Sequence, residues 1–145
     1  MTVPLYNTAL LRLTAEVAGF PRLGPAAHAF AERRSPICGS RVAVDLSLTS
    51  DTLVDRIGGD VRACALGQAS ATLLFRHAPG HGPADLHAAH EALAAWLGGR
   101  GPAPDWPGID ALAPARATPA RHASILLPFA AAAEAATLAA RRTAA

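Results

Sequence analysis

Residues 35–70 read SPICGSRVAVDLSLTSDTLVDRIGGDVRACALGQAS and hold both cysteines of the chain, Cys38 and Cys64. Between the thiols lie two runs with the two-residue alternation of strands. Val42, Val44, Leu46 and Leu48 fall on one face, with Ala43, Asp45 and Ser47 on the other. Thr49-Ser50-Asp51 makes a polar turn, after which Leu53, Asp55 and Ile57 alternate with Val54, Arg56 and Gly58. A hairpin of this length brings its open ends together, and each end carries a thiol. Two cysteines 26 residues apart are thereby expected at one end of a small sheet.

The sequence flanking each thiol favours exposure and reactivity. Pro36 and Gly39 frame Cys38 in a turn, where glycine tolerates a left-handed backbone or close approach to an ion. Cys64 opens a helical run, ALGQASATLLFRHA. There the unpaired N–H groups of the first turn favour thiolate, the form that binds metal or attacks sulfur. Arg62 is expected to push in the same direction. Gly67, Ala69, Ser70 and Ala71 are small enough for another element to pack closely on that helix.

Outward from this core, residues 5–18 have helical periodicity, with Leu5, Ala9, Leu13 and Val17 on a stripe. In residues 22–34, Ala27, Ala29 and Ala31 alternate with His28, Phe30 and Glu32, which predicts a short edge strand beside the hairpin. Pro83 begins a helix that runs to Leu97, stopped by Gly98-Gly99. Residues 100–117 form a proline-rich connector, pinned by Trp106, with a helical piece around 109–112. Thr118-Pro119 signals a last helix, which Pro128 is expected to kink or divide. These elements predict one α+β domain over residues 1–145, a three-stranded antiparallel sheet covered by several helices.

Composition narrows the function. A net charge of +2 over 145 residues is too small for a nucleic-acid footprint. All thirteen basic residues are arginine, which excludes lysine chemistry. The apolar window 125–140 is interrupted by Pro128 and Glu134 and is mostly alanine, so no membrane span is expected. Residues 1–20 lack the pattern of a secretory signal. Paired thiols without one point to a reducing cytosol and to metal binding or sulfur chemistry. His77, His81, His87 and His90 complete no carboxylate–histidine motif.

The two cysteine segments together resemble the U-type iron–sulfur cluster assembly scaffolds, the IscU, SufU and NifU N-terminal kind. Ser35-Pro36-Ile37-Cys38-Gly39-Ser40 resembles the family's asparagine–proline–X–cysteine–glycine–aspartate turn. Ala63-Cys64 through Ala69-Ser70-Ala71 resembles its second cysteine motif. Pro119-Ala120-Arg121 and Leu127-Pro128-Phe129 resemble a SufU-type segment, and the Trp106 connector resembles the SufU-type insertion. The resemblance implies a SufE/NifU-like fold and a scaffold or carrier, not an enzyme. Such a protein binds iron or a transient [2Fe–2S] cluster, with a cysteine desulfurase and cluster-accepting proteins as partners. Zinc held for sulfur acceptance, or a metal-free interaction role, are the alternatives it implies. A cysteine hydrolase built on Cys64 and His122 would lack an orienting carboxylate and an oxyanion motif.

The chain departs from the family at its remaining ligand positions. Ser40 stands at the aspartate. In the ungapped frame Ser124 stands at the third cysteine, with the preceding lysine absent. In an IscU-type frame His122 takes the family histidine and Ala123 the cysteine. Cys38, Cys64 and His122 are thus the expected metal ligands, with Ser40 and Ser124 as weak oxygen donors.

Overall fold

The computed structural model describes residues 7–36 and 39–144. Helix α1 (Thr8–Glu16) is followed by strands β1 (Ala29–Arg34), β2 (Arg41–Leu48) and β3 (Val54–Arg62). Helices α2 (Ala65–His77), α3 (Pro83–Leu97) and α4 (His122–Ala144) complete the order. The strands form an antiparallel sheet in the order β1-β2-β3, so the predicted edge strand and hairpin both form.

One sheet face carries Val42, Val44 and Leu46 of β2 opposite Val61, Gly59 and Ile57 of β3. Helix α4 packs on β1 and β2, α2 packs on α4 and β3, and α1 and α3 lie outside them. The buried side chains of α2 and α4, with Phe75 and Phe129 among the largest, fill the space between. The stretch Pro119–Ala144 is long and apolar enough to cross a membrane by length and composition, but most of it is buried inside this fold as its core helix.

The opposite sheet face departs from simple alternation. Ala43, Asp45 and Ser47 are buried along with their apolar neighbours, because residues 20–24 lie across the sheet as a strap. The Asp45 carboxylate accepts from Arg22 Nε at 2.9 Å, from the Leu23 N–H at 3.0 Å and from the Gly24 N–H at 3.1 Å. The Gly59 N–H donates to the Phe20 carbonyl at 3.0 Å. Gly58 allows the approach: a Cβ there would collide with the Pro21 carbonyl.

Three other expectations need correction. The β2–β3 register shifts between Ser47 and Leu48, pairing Ser47 with Arg56 and Leu48 with Val54. Asp55 is the extra residue of this bulge, so Val54 and Ile57 both turn inward although three positions separate them. In α1 the buried residue is Leu10, expected only to flank the stripe; Leu13 and Thr14, and Val17 just past the helix, are half-buried, Ala9 faces out, and Leu5 lies outside the described residues. Thr14 fixes this rotation by donating to the Ala65 carbonyl at 2.9 Å. Finally, of the two outcomes expected at Pro128, division does not occur: α4 begins at His122 after a 3₁₀ turn (Pro119–Arg121) and continues through Pro128 as one helix. Proline here removes a single N–H, the one that would pair with the Ser124 carbonyl.

The connector is held as expected. Trp106 is buried and donates its indole N–H to the Leu73 carbonyl at 2.9 Å. Its ring stacks on His81 and meets Phe129 edge-on. A 3₁₀ segment (Ile109–Ala117) leads from there to the start of α4.

Candidate functional site

Cys64 is the residue at which β3 ends and α2 begins. Its backbone is extended, at φ −66° and ψ 171°, and it caps the helix. Ser124, in the first turns of α4, is brought against it because Gly67 has no side chain. A Cβ on Gly67 would land on the Ser124 hydroxyl. The Cys64 sulfur and the Ser124 hydroxyl lie 3.3 Å apart, and the Ser40 hydroxyl lies 3.4 Å from the Ser124 hydroxyl. Ser40 and Ser124 are buried, whereas Cys64 is half-buried. The Gln68 side chain donates to the Ala63 carbonyl at 2.8 Å and steadies the backbone just before the cysteine.

The loop between β1 and β2 closes the other side. The Ser35 N–H donates to the Ser40 carbonyl at 2.9 Å, and the Gly39 N–H to the Ser35 carbonyl at 3.1 Å. Gly39 has φ +73°, the left-handed conformation that glycine was expected to provide. Gly39, Ser40, Arg62, Ala63, Cys64 and Arg121 line one cavity of about 180 Å³. Cys38 lies outside the described residues; the two residues that follow it in sequence line this cavity with Cys64.

The electrostatics favour thiolate. Burial is the largest single influence on the Cys64 thiol and pushes it up. The Ser124 hydrogen bond, the backbone N–H groups of Gly67 and Leu66 and the charge of Arg121 together outweigh it, so the thiol sits below its ordinary value. The sulfur makes no capping hydrogen bond of ordinary geometry. Those N–H groups therefore act as the positive end of the helix dipole. The cation acting on the sulfur is Arg121, whereas Arg62 pairs with Asp60 at 3.6 Å. Arg121 replaces the expected Arg62 in this role; the only sequence signal for it was its place in the Pro-Ala-Arg segment, three positions before Ser124.

His122 is placed elsewhere. Its Nε2 lies 3.0 Å from the Ala115 carbonyl, and it lines a different cavity with Arg116, Pro119 and Leu97. Two positions along a helix are about 200° apart around its axis. Ser124 and His122 thus point to different sides, and the third polar group beside Cys64 is Ser124. Among the described residues no three His, Cys, Asp or Glu side chains gather as a metal site.

Replacing Ser124 with alanine should raise the Cys64 pKa by removing a hydrogen bond that favours thiolate. In a Cys38→Ser background, the pH profile of iodoacetamide alkylation should move to higher pH, with slower reaction at neutral pH. Arg121→Gln should act in the same direction more weakly. An unmoved profile in Ser124→Ala would show that the serine does not tune the sulfur.

The whole fold and this corner of it can be set beside known proteins. The chain superposes on the N-terminal part of a nitrogen-fixing NifU-like protein from Brucella abortus with a TM-score of 0.83 and 35% identity. The match covers 94% of this chain and 95% of that one. This chain belongs to the U-type scaffold family, of the NifU N-terminal kind. A protein from Fervidobacterium islandicum, described as an iron–sulfur cluster assembly scaffold for the SUF system, shares the fold. Its TM-score is 0.80 at 16% identity, over 91% of this chain and 96% of that one. Neither a protein-family model nor a curated protein sequence matches the chain. Within the U-type family, this member presents a serine hydroxyl beside Cys64.

Proposed function

We propose that this NifU-like chain is a scaffold or carrier that receives iron and sulfide, or a preformed [2Fe–2S] cluster, as transient cargo through Cys64 and Cys38. The observation that supports this reading is the Cys64 sulfur, favoured as thiolate and opening onto the cavity that Gly39 and Ser40 also line. Iron in such clusters is held by thiolates, about four for each cluster. This chain has two cysteines; the group bonded to the Cys64 sulfur is the Ser124 hydroxyl, which the Ser40 hydroxyl meets in turn. Hydroxyl oxygen is a poor ligand for cluster iron, so the cargo is held weakly and given up readily. A thiolate-bound cluster is anionic, and Arg62 and Arg121 line the cavity with positive charge. The expected partners are a cysteine desulfurase as sulfur donor and a protein that accepts the cluster. The chain acts as a carrier and turns nothing over.

Anaerobic reconstitution with ferric iron and sulfide, two of each per [2Fe–2S] core, tests this reading. The wild-type chain should acquire visible absorbance and labile sulfide that a chelator removes, and Cys64→Ser should abolish both. If the wild-type chain retains no more iron and sulfide than the Cys38→Ser/Cys64→Ser double variant, the carrier reading fails. Stoichiometric zinc with no iron uptake would replace it with a sulfur-acceptor role.

A further inference from the structure

A second cavity, of about 460 Å³, shares no residue with the Cys64 site. It lies between the strap, β3 and the C-terminal end of α2, where Phe75 and Arg76 line it. Arg76 is 12 positions beyond Cys64, about 18 Å along the helix at 1.5 Å per residue. Half-buried Phe20, backed by the core ring of Phe75 at 5.6 Å between centroids, supplies apolar surface. Arg22, Arg56 and Arg76 supply three guanidinium groups.

One wall of the cavity is fixed to the sheet before any ligand arrives. The strap that carries Phe20 and Arg22 is bound to the sheet through Asp45 and the Gly59 N–H. Arg22 spends its Nε on Asp45, which leaves the outer edge of its guanidinium facing away from that carboxylate. Arg76 pairs with Glu16 at the surface. Arg56 is exposed and has no ion-pair partner among the described residues. Three cations face two carboxylates, and Asp45 is fully buried behind the strap. The cavity therefore carries one uncompensated positive charge beside an apolar floor. Guanidinium groups match the paired oxygens of carboxylate and phosphate.

We infer that this cavity binds a small organic oxyanion, a carboxylate or phosphate whose apolar body rests on Phe20 and whose charge is met by Arg56. The site is separate from the cluster-handling thiols and does not depend on them.

The test is titration of the full chain with phenyl phosphate and, separately, benzoate, followed by backbone amide chemical shifts. Saturable shifts confined to residues 20–23, 56–57 and 75–76 are expected for at least one probe, and the tighter arm identifies phosphate or carboxylate. Arg56→Gln should weaken that binding about tenfold, the loss of one charge-assisted contact. Arg141→Gln, an exposed arginine outside the cavity, should leave it unchanged. Absence of saturable shifts with both probes would overturn the inference, as would equal weakening by the two variants.

Discussion

Ser124→Cys should convert a weak, releasable site into one that retains iron. The Ser124 hydroxyl already lies 3.3 Å from the Cys64 sulfur and 3.4 Å from the Ser40 hydroxyl. Substituting sulfur for that oxygen places a third thiol beside Cys64. The Ser124 hydroxyl packs against Gly67, where a side chain would collide with it, so only glycine at position 67 lets the larger sulfur stay beside Cys64. The gain in retention should be at least roughly ten- to a hundredfold, the size of change that even indirect alterations to metal sites produce. The measurement is the rate at which a chelator strips iron from reconstituted protein kept reduced and free of oxygen. Ser50→Cys, an exposed position in the hairpin turn, controls for merely adding a thiol. Loss of iron from Ser124→Cys at the wild-type rate would mean that this hydroxyl does not stand at a ligand position.

The sheet and helices were legible because their apolar periods are strong and their ends carry glycine and proline signals. The hairpin, its edge partner and the helix begun by Cys64 all follow from residues 29–77 read alone. The errors have a common cause in long-range contacts. Nothing local in Val54-Asp55-Arg56-Ile57 announces a bulge; the extra residue appears only when β3 is paired against Ser47 and Leu48. Nor does alternation along β2 reveal that its polar face is covered. That depends on a strap some twenty residues earlier in the chain finding a buried carboxylate. In α1, the placement of Leu10 inward is decided by Thr14 reaching the Ala65 carbonyl, a contact 51 residues away.

The site was readable to the extent that chemistry sat next to backbone signals. A cysteine at a helix start is visible in sequence, and the structure places Cys64 there with its thiol below the ordinary value. Residue types favoured His122 as the ligand and Ser124 as a weak donor, although either frame satisfies the same few letters. It is a matter of helix phase. Once α4 is fixed by its buried Ile125 and Phe129, Ser124 must face Cys64, and His122 points to the Ala115 carbonyl instead. The role of Arg121 was hidden for a similar reason, because charge acts through space and the cysteine it influences is far away in sequence.

Asp45→Asn should be among the most damaging single-atom-scale changes in this fold, although asparagine has nearly the same shape. Asp45 is completely buried and receives donors on both oxygens: Leu23 N–H on Oδ1, and Arg22 Nε and Gly24 N–H on Oδ2. An amide has one accepting oxygen and one NH₂ that can only donate. Turned one way, its NH₂ confronts the Leu23 N–H; turned the other, it confronts both Arg22 and Gly24. A donor–donor conflict is therefore unavoidable, and the charge that strengthened all three bonds is gone. Charge-assisted hydrogen bonds contribute about 1.5–3 kcal/mol each, so a loss of about 2–3 kcal/mol is expected after the strap relaxes into water. Urea denaturation should show the midpoint lowered accordingly, with faster amide exchange at Leu23 and Gly24. The exposed neighbour Asp55 provides the contrast: Asp55→Asn should stay within about 0.5 kcal/mol of wild type. If both variants unfold at the wild-type midpoint, the strap is not held by this carboxylate and the covering of the sheet's polar face must have another origin.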